Sequence, residues 1–151
     1  MTDATTENIP IPTAVPATSP AELKISIHKI DESFHQHIAT GYWAWRTVFE
    51  NDKNGRVTQH PDLLLTELSF SRDAEHHPPK LITCQQKSKT VGAAVLIPKS
   101  IAGEKKFGPA WNLRGYRLAG NRLIGCNDSD VQSCLMQGIS QHMIQSRADF
   151  L

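Results

Sequence analysis

The segment from Lys80 to Pro98, KLITCQQKSKTVGAAVLIP, constrains the fold more than any other stretch of this chain. It reads as a hairpin: one arm from Leu81 to Gln86, a polar turn around Lys87 to Lys89, and a second arm from Thr90 to Ile97. The second arm is almost continuously apolar. Such a strand has no face to give to water, so it belongs at the centre of a sheet, covered on both sides. Pro98 brings no N–H to a ladder and is expected to end it. The cover has to come from the rest of the 151 residues, a length sufficient for one domain with a real core. An apolar content of 39% against 21% charged agrees with a globular chain.

That cover is legible on both sides of the hairpin. LKISIHKI, Leu23 to Ile30, alternates, with Leu23, Ile25, Ile27 and Lys29 on one face, and fits a half-buried strand. Asp31 is placed to cap a following helix. Phe34, Ile38, Tyr42, Trp45 and Phe49 then recur at steps of three or four and define an aromatic, apolar helical face, with Gly41 as the expected kink or break between two helices. NDKNGR, Asn51 to Arg56, stops the segment. Pro61 opens another helix, whose inner side is Leu64, Leu65, Leu68 and Phe70. After the hairpin, Ser100 to Leu113 reads as a loop and Tyr116 to Ile124 as a short strand. Asp128 to Asp149 reads as a helix, with Ser129 and Gln132 at capping-box spacing and Val131, Leu135, Ile139 and Met143 as its inner stripe. The order strand, helix, helix, hairpin, strand, helix predicts an α/β or α+β fold around a small mixed sheet. Met1 to Pro20 is a Thr/Ala/Pro tract that cannot offset its own ordering entropy. Residues 1–22 are therefore expected to form a disordered tail and 23–151 the folded domain.

Several function classes drop out. No stretch approaches the roughly 18 consecutive apolar residues of a membrane-spanning helix. The N-terminus lacks the basic start and apolar core of a secretory signal. Three cysteines, Cys84, Cys126 and Cys134, are too few and too scattered for a disulfide scaffold, which points to a reduced, cytoplasmic setting. His76 and His77 have no second His or Cys at zinc spacing, so no metal is expected. Cys134, on an inner helical stripe, reads as an inert core thiol. Tyr42, Trp43 and Trp45 read as core rather than as a ligand wall. The seven histidines lie on a strand, a helix face and loops, and sequence alone pairs none of them with a nucleophile, so no catalytic residue is assigned.

Charge is uneven. The chain carries +1 overall, while residues 1–22 carry −3 from Asp3, Glu7 and Glu22. Lys99 to Arg122 holds Lys99, Lys105, Lys106, Arg114, Arg117 and Arg122 against Glu104, a local +5 that favours an anionic partner. Trp111 and Tyr116 interleave with these cations as in a base-stacking surface. No helix-turn-helix, RNA-recognition or zinc-finger signature accompanies them, and nucleic acid is not the expected partner. Within RGYRLAGNRLIGCNDSD, Gly120 and Gly125 have the spacing of a phosphate loop, but Cys126 and Asn127 stand where it requires Lys and Ser or Thr. Asp128 and Asp130 oppose an anion at the start of the next helix. Phosphate contacts from this stretch would come from arginine side chains, which makes Arg114, Arg117 and Arg122 the candidate cofactor-binding residues.

Four phrases in order, WAWRTVFEND, TQHPDLLLTEL, KLITCQQKSKTVGAAVLIP and YRLAGNRLIGCNDSD, resemble the first half of GNAT-like acyltransferases of the CelD type. That family is associated with cellulose and exopolysaccharide synthesis and is related to the Fem-type tandem GNAT proteins. Gln59-His60-Pro61-Asp62-Leu63 matches its F-Q-H-P-x-W-L phrase, and Val91 to Leu96 its V-G-x-x-P-L phrase, over roughly residues 23–151. The resemblance implies a GNAT-like sheet flanked by helices and acyl transfer from acetyl-CoA or another acyl-CoA to an amine or hydroxyl. It also implies a second GNAT unit or a second copy as partner, since the family chain continues into a further strand where this one reaches RADFL. The expectation is therefore a truncated or half-domain form, inactive alone and prone to associate; the alternative is a non-catalytic interaction or regulatory domain. The departures are specific. Leu63 or Leu64 replaces the aromatic, Val95 replaces the hairpin proline, and Arg117-x-x-Gly120 begins the acyl-CoA signature Q/R-x-x-G-x-G/A with Arg122 where a small residue belongs. An arginine there would obstruct the close approach that glycine allows.

Overall fold

A computed structural model describes residues 22–70, 78–102, 112–126 and 128–151. The expected tail lies outside them, except for Glu22, and so do His76, His77, Gly103, Lys105, Lys106 and Trp111. The described elements run β1 (Leu23–Lys29), α1 (Glu32–His35), α2 (Thr40–Glu50), a 3-10 turn (Val57–Gln59), α3 (Pro61–Ser69), β2 (Lys80–Gln86), β3 (Lys89–Ala102), β4 (Asn112–Leu118), a second 3-10 turn (Ala119–Asn121) and α4 (Ser129–Gln145). The four strands form one antiparallel sheet in the order β1-β2-β3-β4. The fold is thus α+β. Among the described residues, parallel pairing, which a mixed sheet would require, is confined to a bridge between Gly115 and Phe150.

The apolar arm of the hairpin is the central strand. Ala93, Val95 and Ile97 face a core built with Tyr42, Trp45 and Val48 of α2 and Leu64, Leu65 and Leu68 of α3. Ala94 and Leu96 face the opposite core, with Val131, Leu135 and Ile139 of α4. Successive side chains of a strand point to opposite faces, so a strand with helices on both sides must be apolar throughout. Lys87 and Ser88 both have positive φ, 51° and 64°, as a two-residue I′ hairpin turn demands. Gly92 sets the approach of α4. A Cβ there would lie 2.7 Å from Val131 Cγ1 and 3.0 Å from Leu135 Cδ1.

The structure corrects several expectations. Pro98 does not end β3, which continues to Ala102. β2 pairs only as far as Leu96, so Pro98 sits where one side of β3 has no neighbour to lose. Tyr116 to Ile124 is not one strand: β4 covers Asn112–Leu118, and the chain turns out at Ala119–Asn121 before Ile124 bridges back to Ala93. The break between the first two helices falls at residues 36–39, before Gly41, with His37 left-handed at φ 58°. Ile38, Trp43 and Phe70 are 68%, 51% and 83% exposed, so Trp43 does not join Tyr42 and Trp45 in the core, and Val48 is buried on α2 instead. α4 ends at Gln145 rather than Asp149, and its start is capped by Asp128, whose carboxylate accepts from the Asp130 N–H at 2.8 Å.

Candidate functional site

The loop between β4 and α4 has the glycines of a phosphate cradle, and the chain itself fills it. Asp52 follows α2, and its carboxylate is fully buried. It accepts from the Gly125 N–H at 2.8 Å, the Asn54 N–H at 2.9 Å and the Arg122 guanidinium at 3.1 Å. Burial is the largest influence on this carboxyl and would raise its pKa; the two amides and Arg122 together outweigh it and hold the group below the ordinary carboxylate range. At the other end of the loop, Asp128 takes the Asp130 N–H. The Gly125 amide and, at the start of α4, the Asp130 amide are thus bound to carboxylates of this chain.

Gln59 fixes the outward turn of the same loop. Its side chain donates to the carbonyls of Ala119 at 3.1 Å and Arg122 at 2.9 Å, and accepts from the Arg56 N–H at 3.1 Å. Gly120 is left-handed at φ 67°, and a Cβ on it would meet Gln59 Cγ at 2.6 Å. Only glycine satisfies both conditions.

The three candidate arginines are placed in three settings. Arg122 is bound to Asp52 and to the Asn54 carbonyl, which draws its side chain toward the α2–α3 connection. Arg117 pairs with Glu67 of α3 at 2.7 Å and lines an open groove with Lys99, Ile101 and Phe150. Arg114 lines a separate small cavity with Tyr116, Ser146 and Arg147. Arg114 and Arg117 lie three apart on β4, so they leave it on opposite faces.

Two groupings escape the sequence. The three cysteines share the α4 core, Cys84 buried within it and Cys126 and Cys134 packed against it. Burial, first, and these neighbours push the Cys84 thiol up to about 12. The second grouping joins the α1–α2 break to the start of α3. Asp62 accepts from the Tyr42 hydroxyl at 2.7 Å and lies 3.2 Å from His37 Nε2. Arg46 donates to the Tyr42 oxygen at 3.1 Å. The His37 ring stacks on Tyr42 at 4.2 Å, with 9° between the planes. The Tyr42 hydroxyl donation, burial in opposition, and the cations around it leave Asp62 below the usual carboxylate range. The only sequence signal for this grouping is H-P-D within the TQHPD phrase. His60 there caps α3 by accepting the Asp62 N–H, which orients the aspartate.

Among the described residues no helix is long and apolar enough to cross a membrane. No protein-family model matches the chain, and no curated protein matches it. Two solved structures resemble it at low identity. One is an aminoglycoside acetyltransferase from an uncultured soil metagenomic sample, crystallised with trehalose: 16% identity, 85% of this chain and 74% of that one, TM-score 0.40. The other is a transcriptional regulator from Bacillus halodurans C-125: 11% identity, 84% and 79% coverage, TM-score 0.37. At scores this low neither likeness identifies a fold family or an activity.

Proposed function

We propose that this chain belongs to a GNAT-like acyltransferase that moves an acyl group from an acyl-CoA to an amine or hydroxyl acceptor, in polysaccharide or cell-envelope synthesis. The observation that carries this reading is the element order. The tryptophan-bearing helix, the His60-Pro61 helix start, the hairpin, the strand and the Asp-capped helix follow one another as in the CelD-type pattern. The loop after β4 does not fit a pyrophosphate, because its Gly125 and Asp130 amides are already bound. This reading therefore assigns the acyl-CoA phosphates to a second GNAT unit, within the same polypeptide or in a second copy. Arg114 and Arg117 leave β4 on opposite faces and line separate openings, so they are proposed as phosphate contacts each on its own face rather than as one clamp.

The same occupied loop favours a second reading, a non-catalytic interaction domain with a degenerate GNAT fold. Calorimetric titration of acetyl-CoA into the native protein purified from its host separates the two. Saturable binding that weakens in Arg114→Ala/Arg117→Ala supports the acyltransferase. Absence of any binding heat sinks it and leaves the interaction domain.

A further inference from the structure

The turn that follows α4 carries an arginine where the backbone favours glycine. Arg147 is left-handed at φ 54°. It occupies the Schellman position: its N–H donates to the Ile144 carbonyl at 3.2 Å, and the Ala148 N–H reaches back to the Met143 carbonyl at 3.0 Å. A non-glycine residue takes that conformation at a cost, which is sustained where neighbouring contacts fix the backbone. Three contacts with β4 do so. The Asp149 N–H donates to the Arg114 carbonyl at 2.7 Å, the Asp149 carboxylate accepts the Arg114 N–H at 2.7 Å, and the Tyr116 N–H donates to the Phe150 carbonyl at 3.2 Å. Between this turn and β4 lies a cavity of about 170 Å³, lined by Arg114, Gly115, Tyr116, Ser146, Arg147 and Ala148. No acidic side chain lines it, and Arg147 has no ion pair among the described residues.

We propose that this cavity binds a single phosphate group, with the Arg147 guanidinium as its principal contact and the Arg114 charge beside it. The other polar groups of the wall are committed elsewhere: the Arg114, Tyr116 and Ala148 amides are bonded as above, and the Ser146 hydroxyl donates to the His142 carbonyl at 2.8 Å. A guanidinium presents a fork of donors that matches phosphate oxygens. The C-terminal end of α4 opposes an anion with a partial charge of about −0.5, but its last carbonyls already accept the bonds of the turn, and two full positive charges outweigh it. The cavity is smaller than the roughly 300–1,000 Å³ of a drug-sized ligand's pocket, so it suits a phosphate head and not a whole nucleotide. It lies at the opposite end of the 17-residue α4 from the Gly125 loop, about 25 Å away by helix rise. The site goes beyond the acyltransferase reading and does not rest on it.

The test titrates inorganic phosphate into the intact protein at an ionic strength held constant with sodium chloride, and follows the backbone amides by NMR. Saturable shifts should be largest at Gly115 and Ala148 and absent with chloride alone. Glycerol 3-phosphate is the second arm: tighter binding than inorganic phosphate assigns the site to a phosphate monoester, and weaker binding to the free ion. Arg147→Gly should weaken binding roughly tenfold or more, the effect of one charge-assisted hydrogen bond, and the left-handed backbone makes it a variant that folds. Arg147→Lys, which keeps the charge without the fork, should fall between the two. If neither phosphate gives a saturable shift at these amides in the wild-type protein, or if Arg147→Gly binds as tightly as wild type, the proposal is overturned. Phosphate binding without acetyl-CoA binding keeps this site and sinks the acyltransferase; acetyl-CoA binding without phosphate binding does the reverse.

Discussion

Replacing Asp52 by alanine probes whether the loop after β4 is held by a carboxylate of the chain. Its removal leaves the Gly125 and Asn54 amides and the Arg122 guanidinium without their acceptor. An orphaned buried donor costs about 1–3 kcal/mol, and deleting one partner of a buried ion pair about 3–5 kcal/mol. Arg122 keeps a quarter of its side chain in water and retains the Asn54 carbonyl, so the ionic share is discounted and the total set at about 3 kcal/mol. For a chain of this length that lowers the thermal midpoint by roughly 6–12 °C. Urea unfolding followed by tryptophan fluorescence measures it, Trp45 being fully buried in the adjoining core. Arg122→Ala and the double variant complete a cycle with an expected coupling of about 1–2 kcal/mol. The pH dependence follows from the lowered pKa of Asp52 in the folded state. Its contribution is full above the unfolded carboxylate value, about 4, and is lost as pH falls through the lower folded value. Asp52→Asn should flatten that part of the acid limb. A cost within about 0.5 kcal/mol of zero, as at an ordinary surface site, or strict additivity with Arg122→Ala, refutes the reasoning.

Three further outcomes are expected. Gly92→Ala places a methyl against Val131 and Leu135 and should cost about 1–3 kcal/mol in chemical denaturation, with Val131→Ala partly rescuing it; no loss would mean that α4 is not seated this closely. Gln59→Leu orphans the Ala119 and Arg122 carbonyls and the Arg56 N–H and should cost about 2–4 kcal/mol, with accelerated amide exchange confined first to residues near Gly120. The Cys84 thiol, buried and raised to about 12, should react with iodoacetamide near pH 8 at least a hundredfold more slowly in the native protein than in urea; equal rates would show that its core is open.

How far the sequence is legible depends on the range of the contacts involved. The faces of α3 and α4 follow from side-chain periodicity within single segments, and Leu64, Leu68, Val131, Leu135 and Ile139 are buried as the pattern implies, whereas on β1 Ile27 of the expected apolar face is 40% exposed and Ile30 of the other set is buried. Ile38 and Phe70 fit the same periodicity but lie beyond their helices' packed turns, where backbone direction changes and period no longer predicts facing. Pro98 continues its strand because a proline ends pairing only on the side from which its N–H would point, and sequence does not say which neighbour stops short. The turn at Ala119–Asn121 needs Gln59, 60 residues away from Ala119, and the role of Arg122 needs Asp52, 70 residues away. Local reading treats such residues as a loop glutamine and a surface cation. The His37–Asp62 contact is invisible in sequence for the same reason. Yet each residue of Gln59-His60-Pro61-Asp62 has its own role: Gln59 pins the loop, His60 caps α3, Pro61 starts it and Asp62 accepts from the Tyr42 hydroxyl.

The two carboxylates differ in a way that separates structure from chemistry. Asp52 lies just past one end of α2, and Asp62 bonds to Tyr42 near the other, about 15 Å away by helix rise. Asp52 is shut off from water, and its donors belong to backbone and to Arg122, so nothing is left for a ligand to recruit. Asp62 is 45% exposed, accepts from the Tyr42 hydroxyl and has the His37 imidazole 3.2 Å away. A closed network of the first kind rigidifies the connection between α2 and α3 and seats the loop after β4 on it. That same rigid connection carries Asp62 into position, because Gln59 and His60, which lock onto the loop and the start of α3, immediately precede it. Disturbing Asp52 should therefore loosen the β4–α4 loop, read as faster amide exchange at Gly125, whereas Asp62→Asn should leave that exchange unchanged. If Asp52→Asn folds and leaves the exchange rate at Gly125 at its wild-type value, the carboxylate does not hold the loop and the reading is wrong.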